Sequence, residues 1–195
     1  VKEEIDETIR AVKGLGEANS PSIPFRNNFA KKMALELVDT VPVVYGFKQY
    51  NAIAHRLKTQ FNENSKVVSS YDVFPELNHN EVVGWEAPEA LTEHFSVIII
   101  RDRNEPLEMR RRIEATKSLA LKRAKKVLEI YASGRGRLAK MFSVLHLGDF
   151  VSVYLAILQN KDPTPVKTIS AIKKEMKKEF SVLDKVKDEI RKITS

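Results

Sequence analysis

Phe95-Ser96-Val97-Ile98-Ile99-Ile100-Arg101-Asp102 decides the fold. Its apolar residues are nearly continuous and mostly β-branched, as in strands covered on both faces of a parallel sheet. Upstream, Val41-Pro42-Val43-Val44-Tyr45-Gly46 reads as a second buried strand closing on glycine, and Lys66 to Tyr71 as a weaker one. Downstream, Lys126 to Ala132 reads as a strand closed by Ser133-Gly134. Helical periodicity fills the intervals. Phe29, Met33 and Leu37 mark a helix over about Asn28–Val38, and Tyr50, Ile53, Ala54 and Leu57 mark one ending near Gln60. A charged helix opens at Glu105-Pro106 and runs to about Ala120. An apolar one spans about Arg137–Leu158 and is broken by Asp162-Pro163-Thr164-Pro165. Strands alternating with helices predict an α/β fold, a three-layer αβα sandwich on a mainly parallel sheet. Such sheets hold ligands beyond the carboxyl ends of their strands. Gly46, the segment after Gln60 and Ser133-Gly134 are expected at that crevice.

The two ends differ from this centre. Residues 1–15 read as an N-terminal helix with Ile5, Ile9 and Val12 on one stripe, ended by Gly14 and Gly16. Glu17 to Pro24 reads as a linker, and Val166 to Ser195 as a basic C-terminal helical tail. At 195 residues the chain has room for one domain with appended segments. The expected division is 1–27 for helix and linker, 28–180 for the domain and 181–195 for a helical extension. Val1-Lys2-Glu3-Glu4 lacks the apolar core of a signal peptide. The longest strong apolar run, Phe95–Ile100, is too short to cross a membrane. The absence of cysteine excludes disulfides, thiolate catalysis and cysteine-based zinc sites, and fits a cytoplasmic setting. Net charge is +7, from 33 basic and 26 acidic residues. The basic residues at Arg110–Arg112, Lys122–Lys126 and Lys173–Lys178 mix with Glu and Leu and are not interleaved with aromatics. A solvated helix face is the expected reading over nucleic-acid binding.

Neither phosphate-loop glycine signature is present. Ser133-Gly134-Arg135-Gly136 is a plain strand-to-helix turn or an anion site at a helix N-terminus. No histidine pair has metal-ligand spacing. One segment stands out: Gln60-Phe61-Asn62-Glu63-Asn64-Ser65-Lys66, then Pro75-Glu76-Leu77-Asn78-His79-Asn80-Glu81. An imidazole can give and take protons near neutral pH, and a carboxylate can act as a base. From the residues alone, Glu63 is a capping group, a surface residue or a base. His79 is a surface group, an acid-base group or, with Glu76 and Glu81, a ligand set.

This segment, continued through Val82-Val83-Gly84-Trp85, closely resembles the prokaryotic bifunctional phosphoglucose/phosphomannose isomerases. Val41 to Gly46, Ala54-His55-Arg56-Leu57-Lys58 and Gly148-Asp149-Phe150-Val151-Ser152-Val153-Tyr154-Leu155-Ala156 agree, so the likeness covers about residues 25–178. The resemblance implies a flavodoxin-like sugar isomerase (SIS) domain, the second of the two that such enzymes carry. The first, with its Ser/Thr-rich phosphate loop, has no counterpart in this chain. The resemblance further implies aldose–ketose isomerisation of glucose 6-phosphate and mannose 6-phosphate to fructose 6-phosphate, without metal or organic cofactor. Glu63 is then expected to carry the proton between C2 and C1. His79 is expected to open the sugar ring in the neighbouring subunit of a homodimer, and a late lysine, Lys173 or its rival Lys161, to lie near the substrate oxygens. The expected partners are a sugar phosphate, a second copy and an N-terminal SIS domain, with no nucleic acid and no membrane. The alternative is a non-catalytic SIS module that binds a sugar phosphate for regulation.

Overall fold

Four strands form one parallel sheet in the order β2-β1-β3-β4: β1 (Val41–Phe47), β2 (Ser70–Phe74), β3 (Phe95–Arg101) and β4 (Lys126–Tyr131). The computed structural model describes residues 1–179 and 182–194. The order is flavodoxin-like: the chain steps outward in opposite directions from the central β1/β3 pair. Right-handed crossovers then put the helices after β1 and after β3 on opposite faces, which gives the three layers. Central β3 is buried from Ser96 to Arg101. Ile98, Ile99 and Ile100 are fully buried, each contributing about 1.5–3 kcal/mol relative to exposure. Edge strands β2 and β4 are only partly covered.

The helices are α1 (Lys2–Asn19), α2 (Phe29–Glu36), α3 (Tyr50–Gln60), α4 (Glu81–Gly84), α5 (Glu89–Thr92), α6 (Leu107–Leu119), α7 (Arg137–Leu158), α8 (Lys167–Glu179) and α9 (Val182–Thr194). One compact unit, Val1–Pro163, carries the sheet, and Thr164–Ser195 forms a second that holds α8 and α9. In the first unit α1, α2 and α3 all pack on α7.

Several elements differ from their expected form. α1 runs through Gly14 and Gly16 to Asn19. A side chain at position 16 would come within 3.2 Å of His146, so this glycine serves close helix packing and not termination. The stripe of Ile5 and Ile9 is exposed; Thr8 and Asn19 are the buried residues of α1. Asn19 Oδ1 accepts from Ala30 N at 2.9 Å, and its carbonyl accepts from Tyr154 Oη at 2.5 Å. β2 starts at Ser70, because the chain first completes a turn beyond α3. α7 is long and apolar enough to cross a membrane, with mean hydropathy 1.8, contrary to the expectation of no such run. Half of that window is buried, under α1, α2 and α3. At its start the anion slot is filled from within. Arg135 N and Gly136 N donate to the Glu7 carboxylate at 2.5 and 3.1 Å, and Leu138 N to Glu4 at 3.2 Å. The backbone bond from Arg135 leads in holding the Glu7 carboxyl below its ordinary value, against desolvation.

Candidate active site

Glu63 stands in a π-helical turn, Phe61–Ser65, added to the end of α3 and closed by Lys66 at φ 59°. Such turns often mark functional positions. Phe61 and Ser65 are fully buried and anchor the turn. The polar neighbours are engaged elsewhere. Gln60 Nε2 donates to Asp149 at 2.6 Å, Asn62 Nδ2 to Val67 O at 2.8 Å, Asn64 Nδ2 to Ser152 Oγ at 2.8 Å, and Ser65 Oγ to Ser152 O at 2.7 Å. Lys66 Nζ donates to the carbonyls of Glu63 and Pro163. Glu63 itself is exposed. The asparagines on either side therefore fix the backbone and leave the carboxylate presented to solvent.

Its location corrects the sequence reading. α3 descends from the carboxyl end of β1, so the turn after Gln60 lies at the amino edge of the sheet, not at the carboxyl crevice. Ser69 Oγ, donating to Pro42 O at 2.6 Å, ties the following segment to the start of β1. Lys161 belongs to this edge, with its amide bonded to Ala156 O at 2.8 Å as α7 ends. Lys173 is exposed on α8 in the second unit.

His79 follows β2 at the opposite, carboxyl edge. The five residues of β2 alone separate the two edges by roughly 16 Å at the usual strand rise. One chain therefore does not bring Glu63 and His79 together. Leu77 is fully buried beneath the 3₁₀ turn Glu76–Asn78, and His79 is exposed just beyond it. Asn78 Nδ2 donates to Thr116 on α6 at 2.8 Å, and Asn80 Nδ2 to Glu76 at 3.2 Å. Tyr45 Oη donates to Glu81 at 3.0 Å and accepts from Trp85 Nε1 at 2.9 Å. A cleft of about 590 Å³, lined in part by Asn78, Trp85, Arg111 and Arg112, opens beside this segment.

A polar cluster at the carboxyl edge escaped the sequence reading. Asp102 accepts from Tyr50 Oη at 2.7 Å and from Lys140 Nζ at 2.8 and 3.0 Å, and all three residues are buried. Burial raises the Asp102 carboxyl, but the bonds from Lys140, the Asn104 amide and Tyr50 outweigh it and hold it below its ordinary value. The available signal was Lys140, a charge within a mostly apolar helix. Beside it, buried Arg101 is held by Glu105, Glu114 and Glu129. Among the described residues no three His, Asp or Glu side chains gather as a metal-ligand set.

The family model for the bacterial phosphoglucose isomerase C-terminal SIS domain matches residues 26–176. The bifunctional phosphoglucose/phosphomannose isomerase of Caldicellulosiruptor bescii is 40% identical over 177 residues, 90% of this chain and 52% of that protein. Its namesake from Aquifex aeolicus is 38% identical over 148 residues, 76% of this chain and 46% of that protein. The chain spans about half the length of the curated relatives it matches. A glucose-6-phosphate isomerase-like protein from Thermus thermophilus superposes with a TM-score of 0.70 at 22% identity, covering 83% of this chain and 54% of that one. Tagatose-6-phosphate ketose/aldose isomerase from Escherichia coli does so at 0.54 and 14%, covering 80% and 45%. At these identities the two structures establish the shared fold.

Proposed function

The chain belongs to the bacterial phosphoglucose isomerase C-terminal SIS domain family, and on that premise we propose that it supplies part of a cytoplasmic hexose-phosphate isomerase. The SIS domain is residues 28–180, flanked by the helix and linker of 1–27 and the extension of 181–195. The reaction is the reversible conversion of glucose 6-phosphate, and of mannose 6-phosphate, to fructose 6-phosphate. His79 opens the pyranose by moving a proton from O1 to the ring oxygen. Glu63 then takes the C2 proton, leaving a cis-enediol(ate), and returns a proton to C1 as the O2 hydroxyl becomes the ketone. Each step moves a proton within the substrate, so no redox partner is required. A lysine near the substrate oxygens steadies their charge; Lys173 is the first candidate and Lys161 the second.

The observation that carries this reading is the turn at 61–65. Every polar neighbour of Glu63 is spent on holding the backbone, and the carboxylate alone is left to act. The separation of Glu63 from His79 supports a homodimer in which one copy's His79 serves the other copy's Glu63. A second SIS domain in the same polypeptide completes the phosphate site. The test is a coupled assay of glucose 6-phosphate turnover by the full-length gene product. Glu63→Gln is expected to lower kcat by about 10²-fold or more, the scale of a lost acid-base group. Near-normal turnover in that variant removes Glu63 from the role. Binding of sugar phosphate without turnover in the wild type would favour the regulatory module instead.

A further inference from the structure

The segment that carries His79 leaves β2 at Phe74 and re-enters regular structure at Glu81, the first residue of α4. Between these points the chain is mostly exposed, yet it is held at three places. In its middle, Asn78 bonds Thr116 on α6. Its two ends are both held by one residue of β1, Tyr45. The Tyr45 ring meets Phe74 edge-on, with centroids 6.0 Å apart and planes at 84°. The Tyr45 hydroxyl donates to Glu81 Oε1 at 3.0 Å and accepts from Trp85 Nε1 at 2.9 Å. Trp85 in turn packs edge-on against Phe95 of β3, with centroids 6.1 Å apart.

We propose that Tyr45 is a positioning residue for His79, holding the entrance of its segment through ring contact and the exit through the Trp85–Tyr45–Glu81 hydrogen-bonded chain. This rests on the isomerase reading above and extends it to residues that touch no reacting atom. Tyr45 is fully buried in β1, a central strand, so the reference point for the loop lies in the covered centre of the sheet. A buried hydroxyl must find a partner; here the partners are the two residues that fix where α4 begins and ends its turn. Burial first, and then the Glu81 charge, push the Tyr45 hydroxyl well above the ordinary tyrosine range. The Tyr45 hydroxyl therefore keeps its proton and remains a donor. Glu81 also has its own amide capped by Asn80 Oδ1 at 2.6 Å, so the residue next to His79 is itself tied to the same exit. Misplacing an acid-base group by a fraction of its reach costs rate without weakening binding. The device thus acts on kcat.

The experiment uses the full-length gene product, with kcat and KM for glucose 6-phosphate measured on wild type, Tyr45→Phe, Glu81→Leu and Glu81→Gln. Tyr45→Phe keeps the ring contact and removes only the hydroxyl. It is expected to lower kcat on the order of tenfold with KM within about twofold, the split that marks a transition-state effect. Glu81→Leu, which has no acceptor, reproduces the loss. Glu81→Gln keeps a carbonyl acceptor for the Tyr45 hydroxyl and recovers most of the kcat lost in Glu81→Leu. A melting curve confirms that each variant is folded. Wild-type kcat in Tyr45→Phe overturns the proposal. So does a rise in KM with kcat unchanged, or a Glu81→Gln variant as impaired as Glu81→Leu. An inactive wild type would instead count against the isomerase reading, and shows before any variant is made.

Discussion

Glu63 and His79 are the residues that chemistry makes conspicuous, because each is a titratable group set among amides that cannot titrate. Their surroundings explain the pattern. Asn62, Asn64 and Asn78 are anchoring groups whose side chains bond Val67, Ser152 and Thr116. Tyr50, Asp102 and Lys140 were not legible, because their partners lie 38 and 52 positions away in the chain and no local pattern links them. Two predictions belong to this cluster. Lys140→Met leaves a buried carboxylate without its cation and is expected to cost about 3–5 kcal/mol, read by urea unfolding at neutral pH. The second follows from the lowered Asp102 carboxyl. A group whose folded pKa is depressed stabilises fully above its unfolded value and loses that contribution as pH falls through the folded one. Between about pH 6 and pH 2, wild type should therefore lose more stability than Asp102→Asn does over the same range. Equal losses would show that Asp102 is not linked to folding.

The central strands and the long helices were legible as elements because their burial writes a period into the sequence. Val41 to Gly46, Phe95 to Arg101 and Arg137 to Leu158 all lie where apolar spacing puts them. What local periodicity does not carry is close approach between elements. Gly16 looks like a helix stop but is a contact with His146. The π-turn after Gln60 has no apolar period, and β2 begins at Ser70, four residues beyond the start that the sequence predicts. Gly46 and Gly148 make the same point. A Cβ at Gly46 would lie 2.6 Å from the Tyr50 carbonyl oxygen, and one at Gly148 2.5 Å from Leu57 Cδ2. Gly46→Ala and Gly148→Ala are each expected to destabilise by about 1–3 kcal/mol, the range for overpacking. Gly46→Ala should be the worse of the two, since its obstacle is backbone and cannot rotate away. Thermal melts of both variants check the order.

For the whole molecule, the alternation of strands and helices was enough to predict a parallel αβα sandwich, and the strand order β2-β1-β3-β4 has that form. The position of the candidate site within it was not predictable. The segment from Gln60 to Glu81 is continuous in sequence, but β2 runs through it and carries its two halves to opposite edges of the sheet. That division is why the proposed active site requires two copies of the chain. Complementation tests this most directly. In the full-length protein, Glu63→Gln and His79→Asn are each expected to be nearly inactive. After the two variants are unfolded and refolded together, a mixed dimer holds one site with both residues intact and one with neither. Random pairing into two-fold dimers predicts that about a quarter of the wild-type activity returns. Two inactive variants that stay inactive when mixed, although mixed dimers form, would contradict the account.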